Sequence, residues 1–445
     1  MKIEVLKDLT EPIFYITNDV SRGLGLEKLL PNYHLVCLDD HPLVDILLNA
    51  GVSVFCLERA LGQKNVLFRT SGSILSHPLV LDFIKEKSAG VKPNILFFKP
   101  QKRIEILARE NNFHLLGNSA EINRIFEDKV EFYKLCQNEG IKVPLGEIAD
   151  LGVANYQELV EKYGRTLVVQ FGRGWAGNST FFINSEAEWT KLKQNFGPLA
   201  VKVSRFIPGK TVLNNAVIWG EQVLTSRPAL QVKADFCLTA SPGGTGGRQW
   251  PVDLTAAQEE EIQILTQKVG KIMAQRGYRG FFGLDFLIEE STGEVFLSEN
   301  NARLTASVPF YTQLELESGS FPLLGFHLLT FLNYREERVD WRPPKVEGGE
   351  VIARNTQNCP VKVLSSPKTG LYDFNFNYRG AVSGLDGQKD VFWLEAVAEG
   401  RVVNPEIEIF KIDTLTLVCN QEGVLTEKMR QLIKLIKEKL IFTPC

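Results

Sequence analysis

Residues 280–303, G-F-F-G-L-D-F-L-I-E-E-S-T-G-E-V-F-L-S-E-N-N-A-R, constrain this chain more than any other stretch, because two strand-like runs flank the turn-prone Ser291-Thr292-Gly293. Period-two alternation puts Asp285 on one face of the first run and Glu299, Asn301 and Arg303 on one face of the second, and a turn of this length sets Asp285 opposite Glu299. Like charges facing each other across a ladder repel, so among apolar neighbours they ask for a cation between them. Oxygen ligands without His or Cys suit a hard ion, and Mg²⁺ takes one or two carboxylates and leaves its other positions to water and phosphate. The hairpin therefore predicts nucleotide chemistry. The competing reading is a solvated strand face, but such a face does not call for the run Glu299-Asn300-Asn301-Ala302-Arg303, where acceptors and a guanidinium converge.

At 445 residues with 44% hydrophobic content, the chain has room for two or three domains with substantial cores. A net charge of -3 supplies no overall basic field for nucleic acid or an anionic membrane, which leaves small molecules as the expected partners. The 7 cysteines are scattered without a C-x-x-C pair and are expected as buried thiols in a reducing compartment. Acids interrupt the N-terminal segment where a signal peptide needs an apolar core, and no run approaches a membrane span, so a soluble cytoplasmic protein is expected.

Residues 13–17, 35–38, 52–56 and 95–98 read as buried strands with helical patterns between them, which predicts a doubly wound parallel sheet over residues 1–118. Gly23-Leu24-Gly25 follows the first strand, but Lys28 stands where a dinucleotide fingerprint has its third glycine, so the turn reads as strand-to-helix punctuation. Residues 119–334 mix strands and helices. A helix is predicted over 127–140 and a strand over 141–144, strands over 166–170, 181–184, 199–203 and 212–219, and a long helix over 255–276. A charged, proline-bearing linker over 335–345 leads to short strands and a closing helix over 426–440, so 335–445 reads as a β-rich tail.

Upstream of the hairpin, V-V-Q-F-G-R-G-W-A-G-N-S-T (residues 168–180) is a strand, a glycine-rich turn and a second strand. Glycines such as Gly174 and Gly177 let backbone N–H groups approach phosphate closely, and Asn178, Ser179 and Thr180 add side-chain donors. G-K-[ST] is missing, so this is no Walker loop. Lys129 would neutralise phosphate as a point charge, and the strand end Ser204-Arg205-Phe206-Ile207, broken by Pro208-Gly209, could offer backbone groups to a base edge.

These pieces, in this order and spacing, resemble the ATP-grasp superfamily over roughly residues 120–330. The resemblance implies two α+β lobes gripping ATP, a preceding α/β domain and a β-rich tail. It implies phosphorylation of a carboxylate, which an amine or another nucleophile then attacks. By position, Lys129 is similar to the family's first phosphate-binding lysine, Arg205 and Ile207 to the hinge whose backbone faces adenine, Asp285, Glu299 and Asn301 to the Mg²⁺ ligands, and Arg303 to the arginine that steadies the transferring group. The chain departs from the pattern twice. Gln170 stands where many members have a second lysine, and Ser204 and Thr211 stand in acidic hinge positions. A second glycine-rich loop, residues 241–248, would lie near the acceptor, where Arg248 or Arg227 could hold a carboxylate.

A carboxylate–amine ligase acting on an amino acid or similar acid is the leading expectation, with small carboxylate and amine substrates, and a homodimer is compatible with it. A biotin-carboxylase-like enzyme is the alternative, because residues 348–372 resemble the tail of those proteins. Against it, L-T-A-S-V-P follows Arg303 in place of R-I-Q-V-E-H. A nucleotide-binding regulator without turnover is the third reading, favoured by Gln170 and Ser204.

Overall fold

The computed structural model describes residues 1–172, 180–334 and 337–445. Short apolar runs that alternate with helices form parallel ladders, since a crossover helix covers each face and lets every strand be buried. Ile13–Thr17 (β1), Tyr33–Cys37 (β2), Ser53–Cys56 (β3), Asn94–Phe97 (β4) and His114–Leu115 (β5) pair in parallel in the order β3-β2-β1-β4-β5. This is the doubly wound sheet expected. After β1 the chain enters only a short 3₁₀ turn, Val20–Gly23, so the Gly23-Leu24-Gly25 stretch punctuates a turn and not a long helix.

A four-stranded antiparallel sheet follows, built from Gly146–Asp150 (β6), Leu167–Phe171 (β7), Thr180–Ile183 (β8) and Ala200–Arg205 (β9) in the order β6-β9-β7-β8. Helices Tyr156–Tyr163 and Glu186–Phe196 cover it with a core of its own, centred on Leu159, Val169, Trp189 and Val201. Residues 141–144, expected as a strand, are outside regular structure, and the strand begins at Gly146.

Eleven strands make the largest sheet. Gly209–Trp219 (β10), Gln222–Thr225 (β11), Ala229–Val232 (β12), Gly247–Trp250 (β13), Gly280–Glu289 (β14) and Val295–Asn301 (β15) supply its first half. Gly348–Arg354 (β16) continues it, and then come Val361–Ser365 (β17), Gly370–Asp373 (β18), Tyr378–Gly380 (β19), Val391–Ala396 (β20), Val402–Val403 (β21), Glu408–Thr414 (β22) and Ile441–Pro444 (β23). The order is β15-β14-β10-β12-β13-β16-β22-β20-β18-β19, with β11 on β10, while β21-β17-β23 form a separate small sheet. Hydrogen bonding thus passes without a break from β13 to β16, across the expected domain boundary near residue 334.

One face of the large sheet packs under the helices Ala256–Gln275 and Glu427–Lys439, through Val212, Leu230, Ile262 and Leu432. The other face packs toward the first domain, through Val217, Trp219 and Phe281 against Leu323–Phe331 and the parallel-sheet core. All 7 cysteines are free thiols, and four of them are buried. Among the described residues no helix is long and apolar enough to cross a membrane.

Candidate active site

Asp285 and Glu299 are register partners on the antiparallel hairpin β14–β15, as the alternation predicts, and the ladder shifts register immediately after Asp285. Burial and the facing Glu299 push the Asp285 carboxyl up to about 7. Asn301 Nδ2 donates to Asp285 Oδ1 at 3.4 Å. Two carboxylates and an amide oxygen form a hard-donor set, and no group of three or more His, Cys, Asp or Glu competes for an ion among the described residues. The set fits Mg²⁺ bound partly by phosphate and water.

The cations around this pair come from three directions. Lys129 was expected inside one helix over 127–140, but two helices, Ala120–Glu127 and Lys129–Asn138, meet at Asp128. Asp128 accepts from the backbone N–H of Val130 and Glu131, so it caps the second helix, which starts two residues later than the expected start at Glu127. Lys129 is therefore the first residue of that helix, its own N–H donates to Gly172 O at 2.9 Å, and its Nζ donates to Glu299 Oε1 at 2.7 Å. A Cβ on Gly172 would sit 2.7 Å from Asp128 Oδ1, so that close approach needs glycine.

Arg303 lies just beyond β15, which ends at Asn301. Its Nη2 donates to Asn301 Oδ1 at 2.8 Å and its Nε to Glu127 Oε1 at 2.9 Å, while its guanidinium lies over the Phe98 ring at 4.9 Å. Glu127 is itself fixed by Lys99 at 2.8 Å and Asn123 at 2.7 Å. With Nη1 also donating to Leu304 O at 3.2 Å, all three nitrogens are held, and one N–H on each Nη remains for another partner.

The third cation is Lys202, which sequence reasoning missed. It sits on β9 directly across from Gln170 on β7, and its buried Nζ donates to Gln170 Oε1 at 2.9 Å. It also lies 5.0 Å over the Tyr133 ring. Burial holds its ammonium down to about 8, with the Glu299 charge acting the opposite way. Gln170 Nε2 donates to Thr180 Oγ1 at 3.2 Å, so its amide is fixed at both ends. A charge thus stands one strand away from the position that Gln170 leaves neutral.

The hinge is less open than expected. Arg205 N–H donates to Leu145 O at 2.8 Å and Phe206 N–H to Thr166 O at 3.4 Å, while the Arg205 guanidinium pairs with Glu289 at 3.0 Å. Ser204 is buried between Gly146 and Val168 in the middle of its sheet. Ile207 is buried and its backbone makes no hydrogen bond among the described residues, which leaves its groups, and not those of Arg205, for a base edge. Gly174, Gly177, Asn178 and Ser179 lie outside the described residues.

Arg227 and Arg248 share no partner. Arg227 pairs with Glu259 at 3.7 Å, whereas Arg248, on β13, lies 3.5 Å from Glu350. The loop preceding Arg248 is tied down, with Thr245 O accepting from Arg354 Nη1 at 2.6 Å.

The family model for the ATP-grasp domain matches residues 126–307. The carbamoyl phosphate synthase large chain of Thermoanaerobacter pseudethanolicus is 24% identical over 278 residues, covering 60% of this chain and 25% of that protein. The arginine-specific large chain of Bacillus subtilis is 22% identical, covering 45% and 19%. This chain thus spans about a quarter of the curated relatives it matches. Among solved structures, biotin carboxylase of Campylobacter jejuni in complex with β,γ-ATP superposes with a TM-score of 0.64 at 16% identity, covering 98% of this chain and 92% of that one. Phosphoribosylamine–glycine ligase of Thermotoga maritima gives 0.56 at 17% identity, covering 98% of each. At these identities the structures speak for the fold. Together with the Asp285–Glu299 hairpin, the matched segment identifies residues 126–307 as an ATP-grasp domain.

Proposed function

We propose that the chain is an ATP-dependent carboxylate–amine ligase that activates a small carboxylic acid as an acyl phosphate for attack by an amine. The carrying observation is the Asp285–Glu299 pair with Lys129 at 2.7 Å and Lys202 and Arg303 beside it. Phosphoryl transfer needs positioning and charge neutralisation more than a protein nucleophile, and this site supplies the first two without the third. When bound, Mg²⁺ would neutralise charge on the phosphates, and Asp285, Glu299 and Asn301 are the side chains that would hold it. Lys129 contacts Glu299 at 2.7 Å, and nucleotide phosphates offer that ammonium a second anionic partner. Lys202 supplies the charge that Gln170 does not. Arg303, braced by Glu127, presents its remaining N–H groups to the transferring group or the acyl phosphate. Support from outside the chain comes from the 2-oxoglutarate carboxylase biotin carboxylase domain of Hydrogenobacter thermophilus, a dimer in complex with MgADP and bicarbonate, at a TM-score of 0.62 and 12% identity. A homodimer belongs to the same proposal.

Release of ADP and phosphate across a panel of carboxylic acids and amines tests the reading. Turnover that needs both a carboxylate and an amine is expected. Turnover that needs bicarbonate alone would establish the biotin-carboxylase-like alternative, and nucleotide binding without turnover a regulator.

The raised Asp285 pKa gives a separate test with Mg²⁺ alone. Metal binding requires the carboxylate, so below about pH 7 each ion bound must displace a proton. Affinity for Mg²⁺ is expected to rise about tenfold per pH unit up to pH 7 and to level off above it. Calorimetric titration between pH 5 and pH 8 that gives a flat affinity would remove Asp285 from the ligand set.

A further inference from the structure

The face of the large sheet that carries Asp285 and Glu299 carries a second set of charged groups at its other end. Register partners run from Glu299 to Asp285, Leu213 and Ala229, and from Gln231, two residues along, to Arg248, Glu350 and Asp413. All of these side chains therefore project from one face, the one turned toward the first domain. β14 and β13 stand three strand spacings apart, about 14 Å, a gap that nucleotide phosphates and a long arginine can span. The Arg248 charge acts on both Asp285 and Asp413.

Around Arg248, Glu350 and Asp413 the polar groups are incompletely paired. Arg248 Nε, Glu350 Oε1 and Asp413 Oδ1 are buried without a hydrogen bond, on side chains only 7%, 2% and 6% exposed. The Arg248 guanidinium makes no hydrogen bond among the described residues; its nearest carboxylate oxygen is Glu350 Oε1, at 3.5 Å. Lys411 lies 3.9 Å from Asp413 but closer, at 3.3 Å, to Glu395. The first domain closes the space with Asp19 and Arg22, the latter bound to Glu408 at 2.9 Å, yet Asp19 and Glu408 keep 36% and 32% of their side-chain surface exposed. The recess therefore meets solvent at Asp19 and Glu408, while its floor of Arg248, Glu350 and Asp413 is buried.

A second contact between the same domains shows what charge pairing looks like when its only task is adhesion. Arg401 grips both oxygens of Glu58 at 2.9 and 2.7 Å, and those oxygens also accept from Val66 and Asp40 N–H groups. Nothing is left over there. At Arg248 a cation and two acids, all buried, keep unused bonding capacity, which water, an ion or a polar ligand can complete.

We propose that this recess holds the acid to be activated and that the acid is a free α-amino acid, with its carboxylate on the Arg248 fork, toward Asp285, and its ammonium between Glu350 and Asp413. Such a ligand matches the cation and the acids in the order in which the sheet presents them. A planar guanidinium suits a carboxylate in two-point contact, and the two acids beyond it accept an ammonium. The inference rests on the ligase reading.

Calorimetry with the twenty proteinogenic L-amino acids, in the presence of MgADP, tests it. At least one is expected to bind, and its N-acetyl and carboxamide derivatives, each lacking one charge, are expected to bind at least about tenfold more weakly. Arg248→Lys and Asp413→Asn, checked for folding by thermal unfolding, are each expected to weaken the amino acid at least about tenfold. The proposal is overturned if no amino acid binds, if a derivative binds as tightly as its parent, or if folded Arg248→Lys and Asp413→Asn proteins both keep the wild-type affinity. Failure here with carboxylate-dependent ADP release intact would fell the substrate assignment alone. Loss of MgADP binding and turnover in the wild-type protein would fell the ligase reading itself.

Discussion

Glu299→Gln is expected to lower ATP turnover by about a thousandfold or more while the chain still folds. The substitution removes one of the two charges that would hold the metal, and it takes from Lys129 the carboxylate it contacts at 2.7 Å. The fold tolerates the change because an amide of the same shape still accepts from Lys129, and because Asp285 loses the like charge that helps to push its carboxyl up to about 7. Steady-state ADP release and a thermal melt measure the two sides. Wild-type turnover in a folded Glu299→Gln protein would sink the metal assignment.

Lys202→Met should cost nearly as much, about a hundredfold in turnover, if its ammonium replaces the missing second lysine. A swap of position makes the test sharper than a deletion. Gln170→Lys alone would set a second ammonium where Lys202 Nζ now lies 2.9 Å from the glutamine oxygen, so it is expected to weaken nucleotide binding by repulsion. The double variant Gln170→Lys/Lys202→Gln returns the charge to the first strand and is expected to recover most of the activity lost in Lys202→Met. If Lys202→Met is fully active, Lys202 only fills the space beneath Tyr133.

The facing of Asp285 and Glu299 could be read from the sequence because a hairpin is local. A turn of known length, with alternation on both sides, determines which residues face each other, and Asp285 meets Glu299 as expected. The parallel sheet was legible for a similar reason, since buried strands separated by helical patterns have few other ways to pack. Lys202 was not legible. Its partner Gln170 is far away in sequence, and β9 lies between β6 and β7, so the contact exists only once the strand order is known. The helix before Asp128 is not legible in the sequence, and starting the following helix at Glu127 puts Asp128 inside it. Only the cap geometry separates one helix from two. Arg248 stands out in the sequence as a residue that could hold a carboxylate, but Glu350 and Asp413 read alone as ordinary polar strand residues, and only the strand register gathers them beside it.

The ladder between β13 and β16 bears on what can be separated from this protein. A chain cut near residue 334 would leave β13 with a bare edge of backbone donors and acceptors along Gly247–Trp250, and the severed tail would carry the matching edge on β16. Buried Trp250 and Val351 lie along those edges, so each fragment would offer a sticky template to other chains. The segment that bears the family resemblance is thus a recognisable unit of sequence and an incomplete unit of folding, and residues 126–307 depend on the β-rich tail for a closed surface.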